Sequence, residues 1–313
     1  MHAVRSLLAS LVSLAFLFAP TPAGAQYPAM SYQGLWWRSP AGSESGWGVN
    51  IVHQGDILFA TWFTYDTDGT GLWLVMSEGR RDISIEMDPY YGGYGMGGYG
   101  MMDPNTKSYT GNLYRTTGPA FDSAHFDPAM VTVTPVGTAN FAFTSADRGT
   151  FTYTVNGAMQ SKPIVRQVYA LPMPNCMVGG SRGASPNYQD LWWGAPAGSE
   201  SGWGINVVHQ ADTLFVTWFT YDASGRGMWL VMSDGRKTGA ATYSGALYHT
   251  TGPAFSAATW DGSKVALDQV GTATLSFADP DNGTFTYTVN GVTQVKAIVR
   301  QVFSTPVTNC TSP

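Results

Sequence analysis

His53 and Asp56 stand three residues apart with Gln54 between them, and the trio recurs as His209, Gln210 and Asp212. A His beside a carboxylate is a pairing used for proton transfer, provided the imidazole reaches a substrate and the carboxylate orients it. Asp56, however, falls in a Gly-Asp turn, where Asp is common because its side chain bonds the nearby main chain. No Ser, Cys or third ligand recurs with the pair, and one His per copy is fewer than a zinc site uses. The pair is therefore expected to be structural. No catalytic residue, metal or cofactor is assigned.

The most distinctive string is Pro-Ala-Gly-Ser-Glu-Ser-Gly-Trp-Gly at 40–48, repeated unchanged at 196–204. Its Gly-Ser-Glu-Ser-Gly core resembles a hydrolase elbow, but Glu44 occupies the position of the nucleophilic Ser. Two readings remain. The string is either a tight inter-strand loop with Glu44 capping or pairing with an Arg, or a mobile loop that closes on a ligand.

Aromatic residues follow this loop closely: Trp47, Phe59, Trp62, Phe63, Tyr65 and Trp73 all recur in the second copy. Trp62 and Phe63, like Trp36 and Trp37, are neighbours that must point to opposite faces of a strand. One ring of each pair builds the core; the other lines a cavity or sits on the surface. With amide neighbours, such rings suit a saccharide or a flat apolar ligand. The candidate ligand-binding set is Glu44, Trp47, Asn50, Gln54 and Trp62, with Glu200, Trp203, Asn206, Gln210 and Trp218 in the second copy.

These residues belong to two tandem repeats. Residues 35–80 align without gaps on 191–236 with 34 of 46 identical, and 109–176 align on 243–310 with 38 of 68 identical. The period is far longer than a solenoid unit, so each copy is expected to be a whole domain. We place the domains at 31–176 and 188–310, with a Gly/Ser/Pro-rich linker at 177–187. The first block stayed nearer identity than the second, which directs the search for shared function to it.

Within each copy the periodicity is two. Phe151, Tyr153 and Val155 alternate with threonines, and Asn156-Gly157 then gives a hairpin turn pair. Strands are predicted at 35–38, 47–54, 57–66, 71–77, 109–116, 131–143, 149–155 and 162–169. The fold class is all-β: two antiparallel domains of about eight strands each. A closed up-and-down barrel is expected ahead of a two-sheet sandwich, because closure removes exposed edges. The first copy carries an insertion at 84–107, rich in Gly, Tyr and Met, which reads as a loop.

Export is expected from the N-terminus. Arg5, an apolar run and Ala23-Gly24-Ala25 form a signal peptide over 1–25. Cys176 and Cys310, one per copy at equivalent points, are expected to pair in a compartment that sustains disulfides. A net charge of −5 argues against a nucleic-acid partner, which would need a basic face, and no later segment has the apolar length for membrane insertion.

Gly34-Leu35-Trp36 on the first strand, with Arg166 on the last, resembles the calycin pattern of lipocalins and avidins; Trp192 and Arg300 repeat it. In that family a first-strand Trp packs beneath a last-strand Arg, which implies a barrel around a small ligand. The second copy departs from it, with Asp190 in place of the Gly, and the second lipocalin motif is absent. The module also resembles uncharacterised exported bacterial domains, which implies no activity. The expected function is an exported, non-enzymatic binding protein with one small-molecule or saccharide site per domain. The alternative is a structural or cell-surface interaction module.

Overall fold

The computed structural model describes residues 29–82, 106–181 and 186–312. The signal peptide expected over 1–25, most of the insertion and part of the expected linker lie outside these residues. Alternating apolar and polar positions produce two closed, eight-stranded, antiparallel up-and-down barrels. The first is built from β2 (Gly34–Arg38), β3 (Gly48–Gln54), β4 (Ile57–Tyr65), β5 (Gly71–Arg81), β6 (Lys107–Thr117), β7 (Thr132–Phe143), β8 (Arg148–Val155) and β9 (Ala158–Arg166). The second repeats it with β11 (Asp190–Gly194), β12 (Gly204–Gln210), β13 (Thr213–Tyr221), β14 (Gly227–Lys237), β15 (Thr242–Thr251), β16 (Ala266–Phe277), β17 (Asn282–Val289) and β18 (Val292–Arg300). First strand meets last in both, with Trp36 opposite Arg166 and Trp192 opposite Arg300.

All eight expected strands of the first copy form, but the last is displaced. It runs over Ala158–Arg166 rather than 162–169. The reason is the turn: Asn156 and Gly157 have φ of 48° and 86°, so pairing restarts at once, with Val155 opposite Ala158. Residues 167–170 instead leave the first barrel. Tyr169 donates its hydroxyl to Val208 O of the second barrel at 2.6 Å, and the symmetric tail brings Phe303 against Phe59 at 5.8 Å.

A three-stranded sheet that sequence periodicity did not reveal ties the ends together. β1 (Ala29–Met30) pairs with β10 (Asn175–Val178), which pairs with β19 (Thr308–Thr311). Cys176 lies directly opposite Cys310 in that register, and the two form a disulfide. No helix among the described residues is long and apolar enough to cross a membrane.

Both faces of several strands are buried, for different reasons. Along β4, Leu58, Ala60 and Trp62 belong to the core inside the first barrel. Phe63 and Tyr65 point the other way and join a core shared with the second barrel. Trp73 and Trp229 seal this contact reciprocally. Trp73 Nε1 donates to Thr220 O and Trp229 Nε1 to Thr64 O, each at 3.1 Å. The second ring of each aromatic pair thus faces the other barrel rather than an internal cavity.

Candidate functional site

The Glu44 loop is held from three sides. Glu44 Oε2 accepts from Trp47 Nε1 at 2.9 Å and from Lys162 Nζ at 2.7 Å, while Arg38 lies 3.4 Å from Oε1. Glu200 repeats this with Trp203 Nε1 at 3.0 Å and Lys296 Nζ at 2.9 Å. Arg38 supplies the Arg partner expected from sequence in the first copy, and a Lys on the last strand makes the shorter contact in both. Gly46 sits at φ 108°, and a Cβ there would collide with Val265 of the other repeat. A side chain at Gly46 is excluded twice, by backbone conformation and by that contact.

The structure splits the candidate set in two. Trp47 and Trp62 lie inside the first barrel, both against Phe151. Asn50 and Gln54 lie on the opposite face. Asn50 Nδ2 donates to Thr217 Oγ1 of the second barrel at 2.7 Å. Gln54 clamps the returning tail, accepting from Phe303 N at 2.9 Å and donating to Gln301 O at 2.9 Å. Gln210 makes the same clamp on Tyr169 N and Gln167 O, each at 2.9 Å. Trp203 and Trp218 mirror Trp47 and Trp62 within the second barrel. Asn206 is buried at the interface like Asn50, but its side-chain amide has no partner.

The barrel interiors are filled. Tyr32 stacks on Phe143 at 3.9 Å, Phe141 on Phe151 at 4.7 Å, and Trp62 meets Tyr153 at 4.3 Å. One mouth of each barrel is stoppered by the other barrel. Phe255 enters the first barrel edge-on to Trp62 at 5.9 Å, and Phe121 enters the second against Trp218 at 5.8 Å. The main chain of each plug is gripped as well. Phe121 N donates to Tyr221 O at 2.9 Å, and Tyr287 Oη donates to Phe121 O at 2.9 Å. What remains beneath the Phe121 plug is about 10 Å³, room for about one water.

Both histidines are buried. His53 Nδ1 accepts from Tyr32 N at 3.4 Å, and Nε2 lies 3.3 Å from Tyr109 Oη; His209 repeats this with Tyr188 N at 3.2 Å and Tyr243 Oη at 3.2 Å. An Nδ1 that accepts requires the neutral ring. Burial agrees, pushing both imidazoles down to about 4, with Asp56 opposing the shift at His53 and Asp212 at His209. Asp56 itself is exposed and lies 3.5 Å from Arg81.

Arg166 stacks over Trp36 at 4.9 Å and Arg300 over Trp192 at 5.5 Å. The Gly-to-Asp difference changes what the Arg binds. Arg166 donates to Gln33 O beside Gly34, whereas Arg300 pairs with the buried Asp190 carboxylate at 3.0 Å. Burial raises the Asp190 carboxyl to about 6, against the pull of Arg300.

Two larger spaces lie outside the barrels. A groove of about 530 Å³ runs beside the disulfide, and its principal charged groups, Arg166 and Asp147, already pair at 2.9 Å. A cleft of about 350 Å³ opens between the barrels beside the Glu44 loop. Ser45, Trp37, Phe63 and Tyr65 of the first repeat face Trp229 and Thr217 of the second across it, and no lining residue is charged. Trp37 Nε1 is shielded from solvent and has no hydrogen-bond partner. Leaving such a donor unmet costs about 1–3 kcal/mol.

The cleft lies beside the loop singled out from sequence, but sequence reasoning did not bring Trp37, Tyr65 and Trp229 together, because the cleft exists only where two repeats meet. Comparison with protein-family models, with curated proteins and with solved structures returned no match.

Proposed function

We propose that the protein is an exported, non-enzymatic binder of neutral, flat, mainly apolar small molecules, held in the inter-barrel cleft beside the Glu44 loop. The observation that carries this reading is the cleft itself: ligand-sized, rich in aromatic side chains and free of charged lining. Six rings, those of Trp37, Trp47, Phe63, Tyr65, Phe215 and Trp229, contribute to its wall. Trp37 and Phe215, the less buried of these rings, offer stacking faces. The Trp–Arg stack at barrel closure supports calycin-like ancestry, with the ligand site moved outside filled barrels. Secretion or periplasmic residence is supported by the disulfide and by the leader expected over 1–25.

The test is titration of the mature chain with coumarin, a flat neutral probe with a carbonyl acceptor, and with cellobiose as the saccharide probe. Saturable binding that Ser233→Trp abolishes without lowering Tm is the expected result. Ser233 is an exposed cleft residue, so an indole there fills the space without disturbing a core. No saturable binding of either probe would overturn the reading.

The alternative, an interaction module, draws support from the filled barrels and from equivalent exposed apolar pairs. Val133 and Leu267 are 56% and 61% exposed, and Val168 and Val302 are 53% and 58% exposed. Pull-down of a protein by the wild-type chain but not by Val168→Asp/Val302→Asp would favour it.

A further inference from the structure

The cleft has a twin. The two repeats exchange contacts reciprocally, so each residue lining the open cleft has an equivalent across the molecule: Trp193 for Trp37, Ser201 for Ser45, Phe219 for Phe63, Trp73 for Trp229 and Ser77 for Ser233. The walls are built alike. Gly202 packs on Val131 as Gly46 packs on Val265, and Trp73 and Trp229 make the same bond to the opposite main chain. Trp193 Nε1, like Trp37 Nε1, is shielded and without a partner.

One ring differs. Phe63 and Phe219 hold the same register, opposite Gly48 and Gly204 respectively. In the second repeat the ring lies across its glycine, with Phe219 Cζ 2.5 Å and Cε1 3.0 Å from where a Gly204 Cβ would be. In the first repeat no Phe63 atom comes within 4 Å of the corresponding point on Gly48. Phe219 also closes on Trp73 at 4.9 Å, whereas Phe63 stands 5.5 Å from Trp229. The same side chain on the same scaffold therefore takes two positions, one beside an open cleft and one folded over the backbone of its twin.

We propose that the Trp193–Trp73 face is a second, latent site for the same class of ligand, a neutral, flat, ring-bearing molecule, and that the Phe219 ring keeps it shut. Turning Phe219 to the position of Phe63 opens it. The glycine is what permits closure, since any side chain at Gly204 would exclude the ring. The inference rests on the proposed binding function for its ligand class, but its outcome is separable.

Coumarin stoichiometry by equilibrium dialysis on the mature chain decides it. Wild type is expected to bind one molecule, and Phe219→Ala two. Phe219→Leu is expected to bind two as well, and it retains most of the buried volume should the Ala variant unfold. Adding Ser77→Trp to either variant should return the count to one, and Ser233→Trp alone should return wild type to zero. A count of one in both Phe219 variants, with wild type still binding, overturns the latent site and leaves the proposed function standing. Two equal sites in wild type overturn the ring as a gate. No binding to wild type, with one Ser77→Trp-sensitive molecule bound by Phe219→Ala, overturns the open cleft and keeps the latent one.

Discussion

Tyr153 of the first barrel donates its hydroxyl to the main-chain oxygen of Phe255 in the second at 2.8 Å. With its mirror, Tyr287 to Phe121 O, this bond turns two barrels into one unit in which each supplies the other's stopper. Phe255→Ala is expected to cost about 3–5 kcal/mol, the range for removing a buried Phe, and Phe121→Ala less, because Phe121 is only half-buried. Urea denaturation should show it, and losses under about 1 kcal/mol would mean that the plugs are ornamental.

Glu44 joins Trp47 to Lys162, and both side chains of the ion pair are mostly buried, at 15% and 10% exposure. Glu44→Gln leaves the ammonium without its counter-charge and should cost about 3–5 kcal/mol if the site stays dry. Lys162→Met added to Glu44→Gln should restore much of that loss. A double-mutant cycle with no coupling would refute the pairing. Trp47→Ala is expected to destabilise rather than to remove binding selectively, because Trp47 is 5% exposed and packs inside the barrel.

The Cys176–Cys310 bond spans 134 residues of sequence. In the chain-entropy model a loop of that size gives about 4–5 kcal/mol. Cys176→Ser/Cys310→Ser should lose stability of that order while the barrels keep their far-ultraviolet signature. Non-reducing peptide maps should recover the pair, and two alkylatable thiols in native protein would contradict it.

Acid should loosen the protein through its histidines. His53 and His209 are held near 4 when folded and return to about 6.5 when unfolded, so the unfolded chain binds more protons between those values. Stability is full above about pH 6.5 and falls as pH drops toward 4, by up to about 3 kcal/mol per His. Asp190 acts oppositely: its raised pKa costs stability as pH rises from about 4 to 6. Two histidines outweigh one carboxyl, so the net slope remains a loss toward acid. His53→Gln/His209→Gln should flatten or reverse that slope, and an unchanged profile would move the acid sensitivity elsewhere.

The period-two alternation and the Asn-Gly turns were enough to indicate eight strands per copy, because side chains must alternate across a strand whatever lies beyond it. The gap-free repeat likewise indicated two equivalent domains, and the equivalent cysteines suggested their partner. The same parity rule already separated Trp47 from Asn50, three positions on, although both belonged to the candidate set. What the alternation cannot say is what the outward face meets. Phe63, Trp73, Phe219 and Trp229 are buried only because a second barrel covers them, and Asn50 and Gln54 spend their amides on that barrel's strand and returning tail. Contacts between residues more than a hundred positions apart, such as Tyr153 with Phe255, leave no periodic trace in the chain. Tertiary structure alone decided that the barrels are stoppered and that the open cleft lies between them, because both depend on how two closed surfaces pack rather than on how either one forms.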